Sequence, residues 1–179
     1  MKKLNYSPHI YSPTKDCLKK LNLILAVSSN KILCYHLNEK NTNSNLFIQF
    51  LKDLFDKIPE ESKKNKLVIM DNAKIHLTKE VIKIFEENNI KVITISPYNS
   101  DQNMIELVFR HIKNYLKKYN LKSLNKLKNK IKEIIEKEEI QKTLIKLYKT
   151  TLLYYKRFMD KNNDLEKYEK EFINLVEIK

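Results

Sequence analysis

At 179 residues, 42% of them apolar, the chain is long enough to bury one domain core, with or without a helical appendage, and it has neither an apolar run of membrane length nor a signal-peptide pattern. A soluble intracellular protein with no membrane partner is expected, and Cys17 and Cys34, which lack zinc or disulfide-framework spacing, fit a reducing compartment. The net charge of +13 favours an anionic partner such as nucleic acid, but all but two of the 35 basic residues are Lys and Gly is absent, a bias that AT-rich coding produces unaided, so the distribution of charge carries more weight than its total.

Residues 1–20 are polar, contain Pro8 and Pro13, and form no clear element. Leu21 to Val27 and Ile32 to Leu37 read as strands of a hairpin turned by Ser28-Ser29-Asn30. Asn43 or Ser44 caps a helix with a wide stripe of Leu46, Phe47, Phe50, Leu51, Leu54 and Phe55, and Pro59 to Asn65 is a charged loop. Leu67 to Met70 is a short apolar strand that breaks off at Asp71-Asn72, so Asp71 stands at a strand's C-terminal end, where open α/β sheets place ligands. Thr78 caps a helix with an apolar face of Val81, Ile82, Ile84 and Phe85, ended by Asn88-Asn89, and Lys91 to Ile95 is the next strand. This is a βαβ unit with parallel strands and a right-handed crossover.

The loop SPYNSDQN follows, with Asn103 or Asp101 as cap of a helix that buries Ile105, Val108 and Ile112 and sets Glu106, Arg110, Lys113 and Lys117 on another face. Two carboxylates, Asp71 at a strand end and Glu106 in a first helical turn, suit a divalent cation with hard oxygen ligands and hence two-metal phosphoryl transfer. Taken singly, Asp71 is a turn former and Glu106 a favourable charge at a helix N-terminus; the loop motif between them is what joins them. His76 is either a phosphate or metal contact or the residue that fixes Asn72, Tyr98 either stacks on a base or packs under its loop, and His9 and His36 show no partner. From Leu107 to Lys132 there is no acid against nine basic residues, which fits a DNA-backbone contact surface or a solvated Lys-rich face. Beyond Asn120, helices are expected after Ser123, over Ile140 to Phe158, and over Leu165 to Val176.

The series of apolar strand, Asp71-Asn72 with His76 four residues on, helix, strand, Pro97-Tyr98, Asn103 and Glu106, then a basic helix, resembles the DDE transposases of the mariner superfamily and related bacterial insertion sequences over Leu21 to Lys118. The 34 residues between the two acids match a large branch of that superfamily. The resemblance implies an α/β, ribonuclease-H-like fold over residues 1–120 with a helical extension over 121–179. It implies Asp71 and Glu106 as second and third members of an acidic triad holding Mg2+ or Mn2+. It also implies Arg110, Lys113, Lys117, Asn72 and His76 against DNA, Pro97, Tyr98 and Asn103 positioning the loop, and transposon-end DNA as partner. A homodimer is compatible with it, as is a nuclear location in a eukaryote or a cytoplasmic one in a bacterium.

Two departures accompany the match. Ser100 and Met104 stand where the family has Pro, and no Asp within an apolar run precedes the hairpin; Asp16, Asp53 and Asp56 are poor substitutes for the first acid. The chain thus resembles a transposase core without its N-terminal part, with a gap in the sheet between the hairpin and Leu67 to Met70. The hairpin is expected to close that gap or to borrow a segment such as Leu4 to Tyr11, because unpaired strand edges in a core are costly. A fragment or degenerate transposase, a non-catalytic DNA-binding remnant, and a structural protein with neither activity are the three functional readings.

Overall fold

The computed structural model describes residues 21–64, 66–95, 103–159 and 172–177. The chain runs β1 (Asn22–Val27), β2 (Ile32–Asn38), α1 (Ser44–Asp56), α2 (Glu60–Lys63), β3 (Leu67–Asp71), α3 (Lys79–Glu87), β4 (Lys91–Ile95), α4 (Met104–Leu116), α5 (Leu124–Glu136), α6 (Glu138–Met159) and β5 (Phe172–Glu177). The five strands form one mixed sheet in the order β2-β1-β5-β3-β4. β1 is antiparallel to β2 and to β5, whereas β3 is parallel to β4 and to β5.

Strand alternation sorts the core into two layers. Ile24 and Ala26 of β1 and Val68 and Met70 of β3 pack with Phe47, Phe50, Leu51, Leu54 and Phe55 of α1 and with Val81, Ile84 and Phe85 of α3. Leu23, Leu25 and Val27 of β1 face the other way, onto Ile105, Val108 and Ile112 of α4 and onto α5 and α6. By the same alternation, Leu67 and Ile69 face away from the α1 layer. The apolar stripe of α1 contributes about 1.5–3 kcal/mol for each fully buried large side chain.

The helix ends are set by local chemistry. Asn43 Oδ1 accepts from Leu46 N at 2.9 Å, Thr78 Oγ1 from Val81 N at 3.4 Å, Asn103 Oδ1 from Ile105 N at 3.4 Å, and Ser123 Oγ from Lys126 N at 3.3 Å. At the end of α3, Asn89 N–H donates to Glu86 O and Ile90 N–H to Phe85 O, each at 3.0 Å, with Asn89 at φ 54°. This Schellman turn needs a left-handed residue, and in a chain without glycine asparagine takes that place.

Three expectations are corrected. The segment expected as a charged loop contains α2, which starts directly after Pro59. Ile82 is 46% exposed, because the short helix α3 buries only the narrow stripe of Val81, Ile84 and Phe85. Of the helix expected over Leu165 to Val176, residues 165–171 lie outside the described residues, and from Phe172 the chain forms strand β5 instead, which fills the slot between β1 and β3. The gap is thus closed from the chain's C-terminal side; Leu4 to Tyr11, the segment expected to be borrowed, lies outside the described residues. α5 and α6 share a core with β1 and α4. Among the described residues, no helix is long and apolar enough to cross a membrane.

Candidate metal and DNA site

Asp71 is the last residue of β3, and the backbone turns away at once through a short 3-10 turn, Lys74–His76. Its Oδ1 accepts from Ala73 N at 3.1 Å, an Asx-type turn, and lies 2.7 Å from His76 Nδ1. His76 is fully buried, its ring 4.3 Å from that of Phe47 in the α1 core, whereas the Asp71 side chain is 43% exposed. The carboxylate is therefore anchored through one oxygen to a ring fixed in the core while the group as a whole opens to solvent. That is the arrangement expected of an ion ligand held in place by a partner behind it.

Glu106 is carried by α4. Asn103 caps α4 and sets Glu106 in its first turn, half-buried, on a helix whose apolar side packs against β1 and β5. Lys113 shares that helix face. Burial pushes its ammonium below the ordinary lysine range, the Glu106 carboxylate opposes the shift, and Lys117 adds to it. Arg110 and Lys117 are exposed, as are Lys118, Lys122, Lys126 and Lys132, so much of the acid-free stretch does present positive charge to solvent. Lys128 and Lys130 are partly committed elsewhere, to Glu39 at 2.5 Å and to Glu133 at 2.8 Å. Lys130 also lies 3.9 Å over the Tyr119 ring. Glu133, gripped by Lys130 and Lys137, is held down to about 2.

Asp71 thus stands at the C-terminal end of β3 with Asn72 exposed beside it, and Glu106 stands in the first turn of α4. His76 is removed from the DNA-contacting set, since a sealed imidazole touches no phosphate, and its partner is Asp71 rather than Asn72. Pro97 and Tyr98 lie outside the described residues, as do Asp16 and Asp101. Asp53 is tied to His36 Nε2 at 2.9 Å and to Gln49 Nε2 at 2.8 Å, which also supplies the partner His36 lacked in the sequence. Among the described residues no three His, Cys, Asp or Glu side chains form a metal-holding group. The donors present are hard oxygens, which fit Mg2+ or Mn2+, but as a pair.

Residues 8–128 match the model of the DDE superfamily endonucleases. The chain belongs to this family. Its fold, a ribonuclease-H-like one, is also that of solved transposase structures. The catalytic domain of Mos1 mariner transposase superposes with a TM-score of 0.61 at 19% identity, covering 82% of this chain and 78% of that one. The Mos1 catalytic domain with Raltegravir and Mn gives a TM-score of 0.62 at 18% identity over 82% and 78%. A pre-cleavage Mos1 transpososome gives 0.63 at 16% identity over 86% of this chain and 49% of that one. No curated protein matches the chain. For a DDE endonuclease, the Asp71, His76 and Phe47 stack is the feature that sequence reasoning missed; the His76 motif signalled it, but its partner is chosen in three dimensions.

Proposed function

We propose that this chain is a transposase core whose reaction class is metal-dependent cutting and joining of DNA, with Asp71 and Glu106 as its carboxylate ligands for Mg2+ or Mn2+. The observation that carries the reading is Asp71 anchored by His76 and Ala73 N–H at the end of β3, with Glu106 in the first turn of α4. Divalent metals, when bound, would activate the attacking oxygen and stabilise the leaving one. His76 keeps the Asp71 carboxylate oriented, and the α4 surface attracts and positions the phosphate backbone. Two carboxylates hold one ion weakly and position two poorly, so the chain is a degenerate or partial member of its lineage. We expect calorimetry to detect weak Mn2+ binding that Asp71→Ala and Glu106→Ala each abolish, and a plasmid-nicking assay to detect no cleavage. Mn2+ binding unaltered by both substitutions would refute the site. Mn2+-dependent cleavage lost in both variants would restore full activity to the reading.

The exposed positive face supports DNA binding whether or not the chain cleaves. Replacing Arg110, Lys113 and Lys117 by Ala should weaken duplex binding equally for all sequences and lower the slope of log affinity against log salt by up to about 3, since each phosphate contact contributes roughly 0.9. Lys113, half-buried and near Glu106, should contribute least. Unchanged affinity in a fluorescence-anisotropy titration would leave the lysines as coding bias alone.

A further inference from the structure

Where α4 ends, two tyrosines stand together among lysines. Tyr115 in the last turn of α4 and Tyr119 one turn further on lie with ring centroids 5.5 Å apart and planes 31° from parallel. The Tyr119 hydroxyl donates to Tyr115 Oη at 3.3 Å, and Lys137 Nζ, just past the end of α5, donates to the same oxygen at 3.3 Å. The two rings are therefore held in a fixed relation. Yet Tyr115 is only half-buried and Tyr119 is 39% exposed, although such rings carry apolar faces that packing ordinarily covers.

Three ammonium groups attend the pair. Lys130 Nζ lies 3.9 Å from the Tyr119 centroid, and Lys118 Nζ and Lys137 Nζ lie 5.5 and 5.6 Å from that of Tyr115. Glu133 holds Lys130 at 2.8 Å and Lys137 at 2.7 Å, so two of the three cations are positioned by a carboxylate that they outnumber. Lys126, one turn before Lys130 on α5, adds a further exposed positive charge. Tyr115 follows Glu106 by about two and a half helical turns, so the pair lies on the side of α4 opposite Glu106, Arg110, Lys113 and Lys117. It is a second surface, separate from the one assigned to duplex phosphates above.

Exposed aromatic rings among cations have the composition of a surface for single-stranded nucleic acid, in which a base stacks on a ring and ammonium groups take the phosphates. A duplex keeps its bases stacked on one another and offers such a surface phosphates alone. We infer that Tyr115 and Tyr119, with Lys118, Lys130 and Lys137, form a stacking site for an unpaired DNA base on the face of α4 opposite Glu106. A base arriving at Tyr119 displaces the Lys130 ammonium from the ring toward the phosphate of the same strand, which exchanges a cation–π contact for a stack and an ion pair. For the class of partner the inference rests on the DNA reading proposed above, but it uses none of the residues assigned there to the duplex or to the metal.

Fluorescence anisotropy on the full chain tests this with three labelled probes of equal length: oligothymidylate, the same strand with stable abasic sites throughout, and a mixed-sequence duplex. The parent should bind oligothymidylate roughly tenfold tighter than the abasic strand, a factor within the range that one stacked base supplies. Tyr119→Ala should lose that preference while binding the duplex like the parent, and Tyr119→Phe, which keeps the ring, should retain it. Tyr119→Leu, which keeps apolar bulk without a π face, gives the same test if the alanine variant does not fold. Equal binding of the two single strands by the parent, or an equal loss for strand and duplex in Tyr119→Ala, would overturn the stacking site and leave the duplex surface standing. Binding of neither strand nor duplex by the parent would overturn both.

Discussion

Replacing Phe47 by alanine should cost about 3–5 kcal/mol of unfolding free energy, because a fully buried aromatic leaves a cavity its neighbours cannot close. Its ring stacks on Phe50 with centroids 6.2 Å apart and lies 4.3 Å from the His76 ring, so it joins the α1 core to the residue that anchors Asp71. Urea unfolding followed by far-UV circular dichroism measures the loss. Against a total of roughly 5–15 kcal/mol for a domain, this is a large fraction. The loss should be accompanied by weaker Mn2+ binding, since His76 would lose the surface that fixes its ring and Asp71 would lose its orienting partner. Phe47→Leu, which keeps most of the volume, should recover much of the stability. A cost below about 1 kcal/mol for Phe47→Ala would contradict the packing of α1 against the loop after β3.

The parts of this fold legible in the sequence are those whose cause is local. The caps at Asn43, Thr78, Asn103 and Ser123 lie within a few residues of the amides they satisfy, and the βαβ unit from Leu67 to Ile95 announces itself through a β-branched run, a cap and an Asn-Asn stop. In the sequence Asp71 and Glu106 are joined only by the recognisable pattern of the segment between them. His76 was undecided, since Asp71 and Asn72 are both within reach of a loop histidine until the 3-10 turn fixes the path. β5 was misread for a physical reason. Leu165, Tyr168, Phe172, Ile173 and Val176 recur at helical spacing, and Phe172 to Glu177 contains enough β-branched and aromatic residues to form a strand as well. The unpaired edges of β1 and β3 decide between the two, because a strand placed there satisfies backbone groups on both sides at once. No window of sequence contains that demand.

The central position of β5 makes the chain intolerant of proline there. Ile173 pairs with Val68 in the middle of the sheet, with β1 on the far side of the same strand. Ile173→Pro removes a backbone donor, and the carbonyl left unpaired in the interior costs about 1–3 kcal/mol by itself. The ring also obstructs the close approach of a neighbouring strand, and expulsion of β5 would expose the edges of both β1 and β3. We therefore expect loss of the cooperative urea transition, or a destabilisation of more than about 3 kcal/mol, with aggregation visible by light scattering. Lys91→Pro supplies the comparison, since Lys91 is the first residue of edge strand β4, a position where proline is accepted in sheets. It should cost far less. If the two variants were equally mild, β5 would not be a central strand. If Ile173→Pro alone collapses the fold, the sheet depends on a strand drawn from the far end of the chain, which satisfies the edges of β1 and β3 at once.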